Sequence, residues 1–408
     1  MMEMTNEIEM LSFETLSDAV AGNAAAFRQV TRLLPAGGAG SKVYPPTHSG
    51  GIYAWEKRRI AKDTVVNTVL LDSVQSQANR MEQALLDAHR AGKLKFPLLQ
   101  VDFSEHFANI GIVTTLDAPH RIADAIFRDS MLYGKKFRES DVGMAFVDSN
   151  IRNATGLFQY CPHALVFGVW DSTGSKGGLG NKFQRAIVSE IVGIQAENGV
   201  HTSSRIDPLG ITRAAEIYET ENGDWTLDPE RARKNDRGEP VRSRPSEFVH
   251  GNIPPTIEVV GRDRDPIRGG VTMDYAVQTT VLSLPALRRL RFPVDGNEKE
   301  EYNDAARTVL AALALAAVVH MREQGYDLRS RCLLIPEYSA QFELIENNGK
   351  MEKFDLDACN ADRIFEKAVA EAKERGLPWQ DHVINLEPEE RLEQLISQSR
   401  TTSALEEE

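Results

Sequence analysis

Apolar and polar positions along the chain follow two rhythms. In residues 72–91, Val74, Ala78, Met81, Leu85 and Ala88 recur at spacings of four and three. That predicts an amphipathic helix whose other faces carry Gln75, Gln77, Asn79, Arg80 and Gln83. Residues 14–34 read as a helix through a run of alanines, broken by Pro35 and the glycines after it. Strands are expected at 110–113 and 142–147, with a helix over 119–132 capped near Asp117 or Ala118. Residues 183–192 put Phe183, Ile187, Val188, Ile191 and Val192 on one helical face, closed by Gly193. Asn181 is the N-cap of that predicted helix and Gln184 its partner three positions on. Strand-like alternation with β-branched residues marks 271–284. A long apolar helix covers 301–324 up to Gly325, a short buried strand covers 333–335 up to Pro336, and two helices cover 361–375 and 388–397. Residues 212–268 are rich in turn formers and read as an extended, exposed insertion. No repeat of 20–50 residues is visible, which argues against a solenoid. Strands and helices interleave between long insertions, so an α+β core is expected.

Composition narrows the class. Hydrophobic residues make up 41% and charged residues 26% of 408, ordinary for a globular protein. The ten apolar residues 310–319 fall short of the roughly 20 that span a bilayer, and the first residues carry Glu3, Glu7 and Glu9 where a signal peptide is basic. A cytoplasmic protein without membrane attachment is expected. Three scattered cysteines without a CxxC pair, and histidines without HExxH, give no metal site and no cofactor. The net charge of −13 argues at first against a nucleic-acid partner. However, residues 1–20 hold −5 and residues 337–408 hold −10, which leaves +2 for 21–336. Local potential governs phosphate binding more than the net sum.

The chemistry gathers at residues 166–193. An apolar run ends in Trp170, Asp171 and Ser172, and the loop 173–182 holds four glycines and two lysines. Glycines let a backbone approach a ligand closely, and a helix N-terminus favours an anion. Lys182, Arg185 and Ser189 share a face of the predicted helix, so Ser175, Lys176, Asn181, Lys182 and Arg185 are candidate anion ligands. The nucleotide-hydrolase pattern GxxxxGK[ST] fails because Asn181 follows Gly180. The hydrolase elbow GxSxG fails at Thr173. An incidental surface loop remains the plain alternative.

A second glycine-rich stretch, 37–42, ends in Ser41 and Lys42. Tyr44, Tyr53 and Trp55 follow, with Lys57, Arg58 and Arg59 beyond them. Aromatic and basic side chains side by side hold single-stranded nucleic acid, and they serve equally as core and solvated surface. Gln77, Asn79 and Arg80 suit ribose and phosphate, or a solvated helix face. Arg288 and Arg289 beside Phe292 form another basic cluster. Arg205 lies in a stretch where Asp207 offers it a structural partner. Residues 231–244 carry six bases and two acids.

The blocks 34–51, 67–88, 170–193, 204–211 and 282–293 resemble one family. It is the crRNA-binding backbone subunit, of the RAMP superfamily, of type I-U (also called I-G) CRISPR Cascade complexes. The resemblance implies an α+β fold with an RRM-like (ferredoxin-like) palm and helical fingers-like and thumb-like insertions. On this view residues 1–36 are an N-terminal helical segment and 37–336 the core. Within that core, 95–160 would be fingers-like and 212–270 thumb-like, and 337–408 would be an acidic helical tail. The partners implied are crRNA, target DNA through the guide, further copies in a head-to-tail filament, and the large and crRNA-end-binding subunits. The role implied is not catalytic. The candidates named above, from Ser41 to Arg289, become RNA-binding residues. A phosphate-binding enzyme, either a RAMP-type metal-dependent RNA nuclease or a nucleotide hydrolase, stays open as the alternative, although nothing in the sequence assigns Asp72 or Asp171 a catalytic role.

Overall fold

The computed structural model describes residues 8–171, 173, 182–212, 214–260, 265–266 and 269–407. Ser12 caps helix α1 (Phe13–Ala21), accepting from the Thr15 amide at 3.0 Å. Gly22 and Asn23 end the helix, and strand β1 (Ala26–Pro35) follows. The expected helix over 14–34 is therefore half strand. Phe27, Gln29, Thr31 and Leu33 are buried in strict alternation, and this period of two outweighs the alanine run. Strands β2 (Trp55–Ala61) and β3 (Thr64–Asp72) form a hairpin, and Ser73 then caps helix α2 (Val74–Arg90).

Strand β4 (Ile187–Ile194) replaces the helix expected over 183–192. The apolar pairs there are β-branched and fit both faces of a strand, which imitates a helical period. Strand β5 (Tyr275–Ser283), helix α3 (Glu300–Glu323), and strands β6 (Leu333–Pro336), β7 (Phe342–Ile345) and β8 (Met351–Phe354) complete this layer. In space the strands run β2-β3-β4-β5-β1, with β6 and β7 both pairing β1 and β8 pairing β7, all antiparallel. The chain order β1-α2-β4-β5-α3-β7 with spatial order β4-β5-β1-β7 is consistent with a ferredoxin-like, RRM-like α+β arrangement. Helices α4 (Ala358–Glu374) and α5 (Glu390–Glu407) close the chain.

Helix α3 is the structural centre. It is long and apolar enough to cross a membrane by length and composition, yet eighteen of its residues are buried. It packs against α1, α2 and α4. Arg307, inside this packing, donates to the Leu290 carbonyl and pairs with Glu300 at 2.6 Å.

Residues 95–160 fold differently from the sequence expectation. Residues 142–147 lie in a helix (Asp141–Asp148) capped by Ser140. The helix expected over 119–132 is a short turn (Arg121–Ala123), one helical turn (Ala125–Arg128) and a strand (Ser130–Leu132). Asp124 caps that helical turn through the Ile126 amide. A second sheet joins strands Leu99–Asp102, Ile112–Thr114, Ser130–Leu132 and Lys135–Lys136 to Ile384–Pro388 near the C-terminus. Ile384–Pro388 lies parallel to Leu99–Asp102. Residues 337–408 are thus only partly helical. They supply β7 and β8 to the main sheet and one strand to the second, and Phe342, Leu344, Ile364, Phe365 and Leu386 are buried in the fold.

Residues 201–260 project as an arm. His201–Arg205 pairs antiparallel with Ile253–Val260, and a small sheet of Ile217–Glu219, Trp225–Thr226 and Arg242–Ser243 sits between them. The basic run in the arm is partly neutralised, since Arg233 pairs with Glu219 and Arg242 with Glu216.

A buried thiol and imidazole meet in the core, with Cys161 Sγ 3.2 Å from His163 Nε2. Burial pushes the Cys161 thiol up to about 12 and the His163 imidazole down to about 3, so both are neutral in the fold. An unfolded histidine takes a proton near 6.5. Between pH 6.5 and about 3 the unfolded chain therefore holds the extra proton, and stability falls as pH falls. We expect each pH unit in that window to cost about 1.4 kcal/mol at most from this residue. His163→Gln should flatten the dependence of the urea midpoint on pH between 7 and 5. An unchanged slope would contradict the assignment.

Candidate polyanion-binding cleft

The apolar run that precedes the glycine-rich loop is buried from Ala164 to Val169. Val169–Trp170 then pairs antiparallel with Lys182–Phe183, Val169 opposite Phe183 and Trp170 opposite Lys182. The loop between them therefore joins two strands. This corrects the expected strand–loop–helix arrangement, and the helix-terminus argument for an anion does not apply here. Ser175, Lys176 and Asn181 lie outside the described residues.

The base of this hairpin is held by charge. Arg138 donates to both oxygens of Asp171, at 2.8 and 2.9 Å, and the Thr173 amide donates to the same carboxylate. Arg121 forks onto Glu82 at 2.6 and 2.7 Å and donates a third bond to the Gly168 carbonyl at 2.8 Å. Its backbone lies in the left-handed region, φ 53°, a conformation that tertiary contacts must hold for a residue with a side chain. Burial pushes the Glu82 carboxyl up, against the pull of Arg121. Gly168 has φ +83°, and a Cβ there would lie 3.0 Å from Arg185 Cγ and 3.1 Å from the Phe183 carbonyl oxygen. The glycine lets the Arg185 strand pass this close.

These elements open a cleft of about 350 Å³ lined by Gln75, His120, Arg121, Trp170, Lys182 and Arg185. No ion pair among the described residues takes up Arg185. Burial first, and then the Arg121 charge, lower its pKa. Two guanidiniums thus act on the Glu82 carboxylate, which Asp117 also neighbours, and Lys182 adds a third cation at the lip. The net positive potential in a partly desolvated recess suits an anion. On the other side of the same strand a second cleft of about 300 Å³ holds Lys182 and Arg289, and Arg289 donates to Gln184 at 2.8 Å.

The remaining sequence candidates are dispersed. Gln77 is 1% exposed; its amide donates to Asp72 and accepts from Ser189 and Gln278. It belongs to a buried polar layer beneath the sheet and stands apart from any surface. Ser189, expected on the basic helix face, points into that same layer because β4 is a strand. Arg80 pairs with Asp72 at 2.9 Å, and Asn79 is exposed beside it. Arg58 forks onto Glu190 at 2.5 and 3.2 Å, while Arg59 donates to the Lys62 carbonyl. Both lie on the edge strand β2. Lys42 donates to the Val200 carbonyl at the root of the arm, with Ser41 next to it in sequence. Arg205 donates to the Gly251 carbonyl, and Asp207 accepts from backbone amides of residues 209 and 251, so the expected Arg205–Asp207 pair gives way to backbone partners. Arg288 donates to the Ala24 carbonyl. Of the sequence candidates, Lys182, Arg185 and Arg289 share one neighbourhood.

Gln75, His120, Arg121 and Trp170 complete the cleft without having been candidates. Only Trp170 carried a usable signal, an aromatic beside a basic glycine-rich loop. Arg121 depends on a backbone turn that no local pattern announces.

A larger cavity, about 680 Å³, lies elsewhere, beneath α5. Its three arginines meet three acids, Arg128 and Arg391 pairing with Asp129, Arg391 also with Glu389, and Arg138 with Asp171. The carboxylates that a nuclease would use are occupied as well. Asp72 holds two arginines and Asp171 holds Arg138. Among the described residues no three His, Cys, Asp or Glu side chains are grouped to hold a metal ion.

The site and fold thus define an α+β protein with a basic cleft suited to a polyanion. Residues 28–198, under half of the chain, match the family model of CRISPR-associated protein GSU0053 (Cas_GSU0053). That match is consistent with a CRISPR-associated protein of the RAMP superfamily, and it includes every residue named for the cleft. No curated protein matches the chain.

Proposed function

We propose that this chain is a non-catalytic, guide-RNA-binding backbone subunit of a cytoplasmic type I CRISPR complex of the I-U/I-G kind. The observation that carries this is the positive charge of Arg185 and Lys182, which no ion pair among the described residues takes up, beside Arg121 and inside the span that matches a CRISPR-associated family. Phosphate and ribose contacts position a nucleic acid without reading its sequence, which is what a guide carrier requires while its bases stay open for pairing with target DNA. The sheet and helices α2 and α3 serve as an RRM-like palm, residues 95–160 as fingers, and the arm at 201–260 as a thumb. Copies stack head to tail along the guide beside the large and crRNA-end-binding subunits, a contact that needs two different surfaces on one chain.

Replacing Lys182 and Arg185 together with alanine should weaken binding of single-stranded RNA about 10–100-fold near 0.1 M salt. The slope of log affinity against log salt should fall by about 1.4, as for two lost phosphate contacts at roughly 0.7 each. Filter binding across a salt series checks both numbers. Unchanged affinity and slope would remove the cleft from the RNA path.

A further inference from the structure

The cleft also has an aromatic wall. Trp170 is 55% exposed, although the six residues before it are buried. The hairpin register explains this. Val169 and its partner Phe183 face the core, both 5% exposed, so Trp170 and its partner Lys182 must face outward. Lys182 Nζ lies 5.5 Å from the Trp170 ring centroid, a cation–π distance. Among the described residues no second aromatic ring packs on the indole. A flat apolar surface therefore stands at the cleft lip, beside Lys182 and Arg185.

Resting on the RNA reading above, we propose that Trp170 is a stacking platform for one unpaired base of the bound RNA. The flanking phosphate of that nucleotide lies against Lys182 and Arg185. An indole beside two cations offers a nucleotide both of its requirements, a π-face for the base and positive charge for the phosphate. Cation–π contact orients Lys182 along the ring and leaves its remaining N–H donors for the phosphate. Every base has a π-face, so the subsite has no strong base preference. Trp170 acts here as a binding residue.

The test compares the full chain with Trp170→Ala and Trp170→Phe, all three having the same thermal midpoint. Each is titrated with a single-stranded RNA and with a ribose-phosphate oligomer of equal length that lacks bases. For the RNA we expect about a ten-fold loss with Trp170→Ala and most of the affinity kept with Trp170→Phe. For the base-free oligomer all three proteins should bind alike. Equal RNA binding by all three proteins would overturn the platform, and so would a Trp170→Ala loss that is as large for the base-free oligomer. In either case a weakened Lys182→Ala/Arg185→Ala variant would leave the RNA reading standing. Failure of the unaltered protein to bind RNA would overturn both.

Discussion

Glu82→Ala is expected to destabilise the protein by about 3–5 kcal/mol, the usual cost of leaving a buried charge without its partner. The Arg121 side chain is 8% exposed and Glu82 supplies both of its carboxylate bonds. Without Glu82, the guanidinium keeps one described partner, the Gly168 carbonyl, and has little access to water. Arg121 is held in the left-handed backbone region, so the lost pair also loosens the turn that carries it. Glu82→Gln keeps the volume and one acceptor oxygen but removes the charge, and should fall between the native protein and Glu82→Ala. Equilibrium denaturation by urea measures the series. Because Arg121 also lines the cleft, Glu82→Ala should weaken RNA binding although Glu82 does not line it. A loss of stability below about 1 kcal/mol, the range of a surface ion pair, would show that the pair is not the clamp described.

Asp72→Ala should cost about 3 kcal/mol. Asp72 ends β3, is fully buried, and accepts from Ser76, Gln77, Arg80 and Arg329 at 2.8, 2.6, 2.9 and 3.2 Å. The network reaches further, since Gln77 accepts from Ser189 and Gln278, and Gln278 accepts from Tyr326. It forms a polar layer between α2 and the sheet. Removing the carboxylate strands several donors at once. Arg80 and Arg329 reach solvent in part, which keeps the cost below that of a sealed pair. Asp72→Asn retains shape and one acceptor and should cost less than Asp72→Ala. Thermal denaturation of the two variants checks the order. If Asp72→Ala were as stable as the unaltered chain, the carboxylate would not organise the layer.

Where one face of an element is apolar and the other polar, the sequence was sufficient. Helix α2 shows this with Ala78, Met81 and Leu85; β5 was legible from its β-branched residues, although its buried face holds Gln278 and Thr280. Helix α2 lies within two residues of expectation, whereas β5 starts four residues later than expected, at Tyr275. Where both faces are buried, periodicity misled. Ile187, Val188, Ile191 and Val192 mimic a helical stripe because β4 packs against α2 on one face and is half covered on the other. Residues 24–34 failed for another reason: three alanines outweighed the one-faced alternation of Phe27, Gln29, Thr31 and Leu33. The strand Ile384–Pro388 lies parallel to Leu99–Asp102, almost 300 positions away, a pairing that no local window contains.

The site was legible in part for a related reason. Lys182 and Arg185 were marked by their neighbourhood of glycines and remain the core of the cleft. Gln77 and Arg80 belong to the same residue classes, yet they turn inward to serve Asp72, and only the packing of α2 on the sheet reveals it. The family match at 28–198 is consistent with a CRISPR-associated protein, and the cleft lies within that span.

The most direct measurement is the nucleic acid that accompanies the full chain when it is purified at low salt after co-expression with a CRISPR array and its partner subunits. The account predicts bound RNA of defined length, released as salt is raised and reduced when Lys182 and Arg185 are both replaced by alanine. A monomeric preparation free of RNA under those conditions would contradict it.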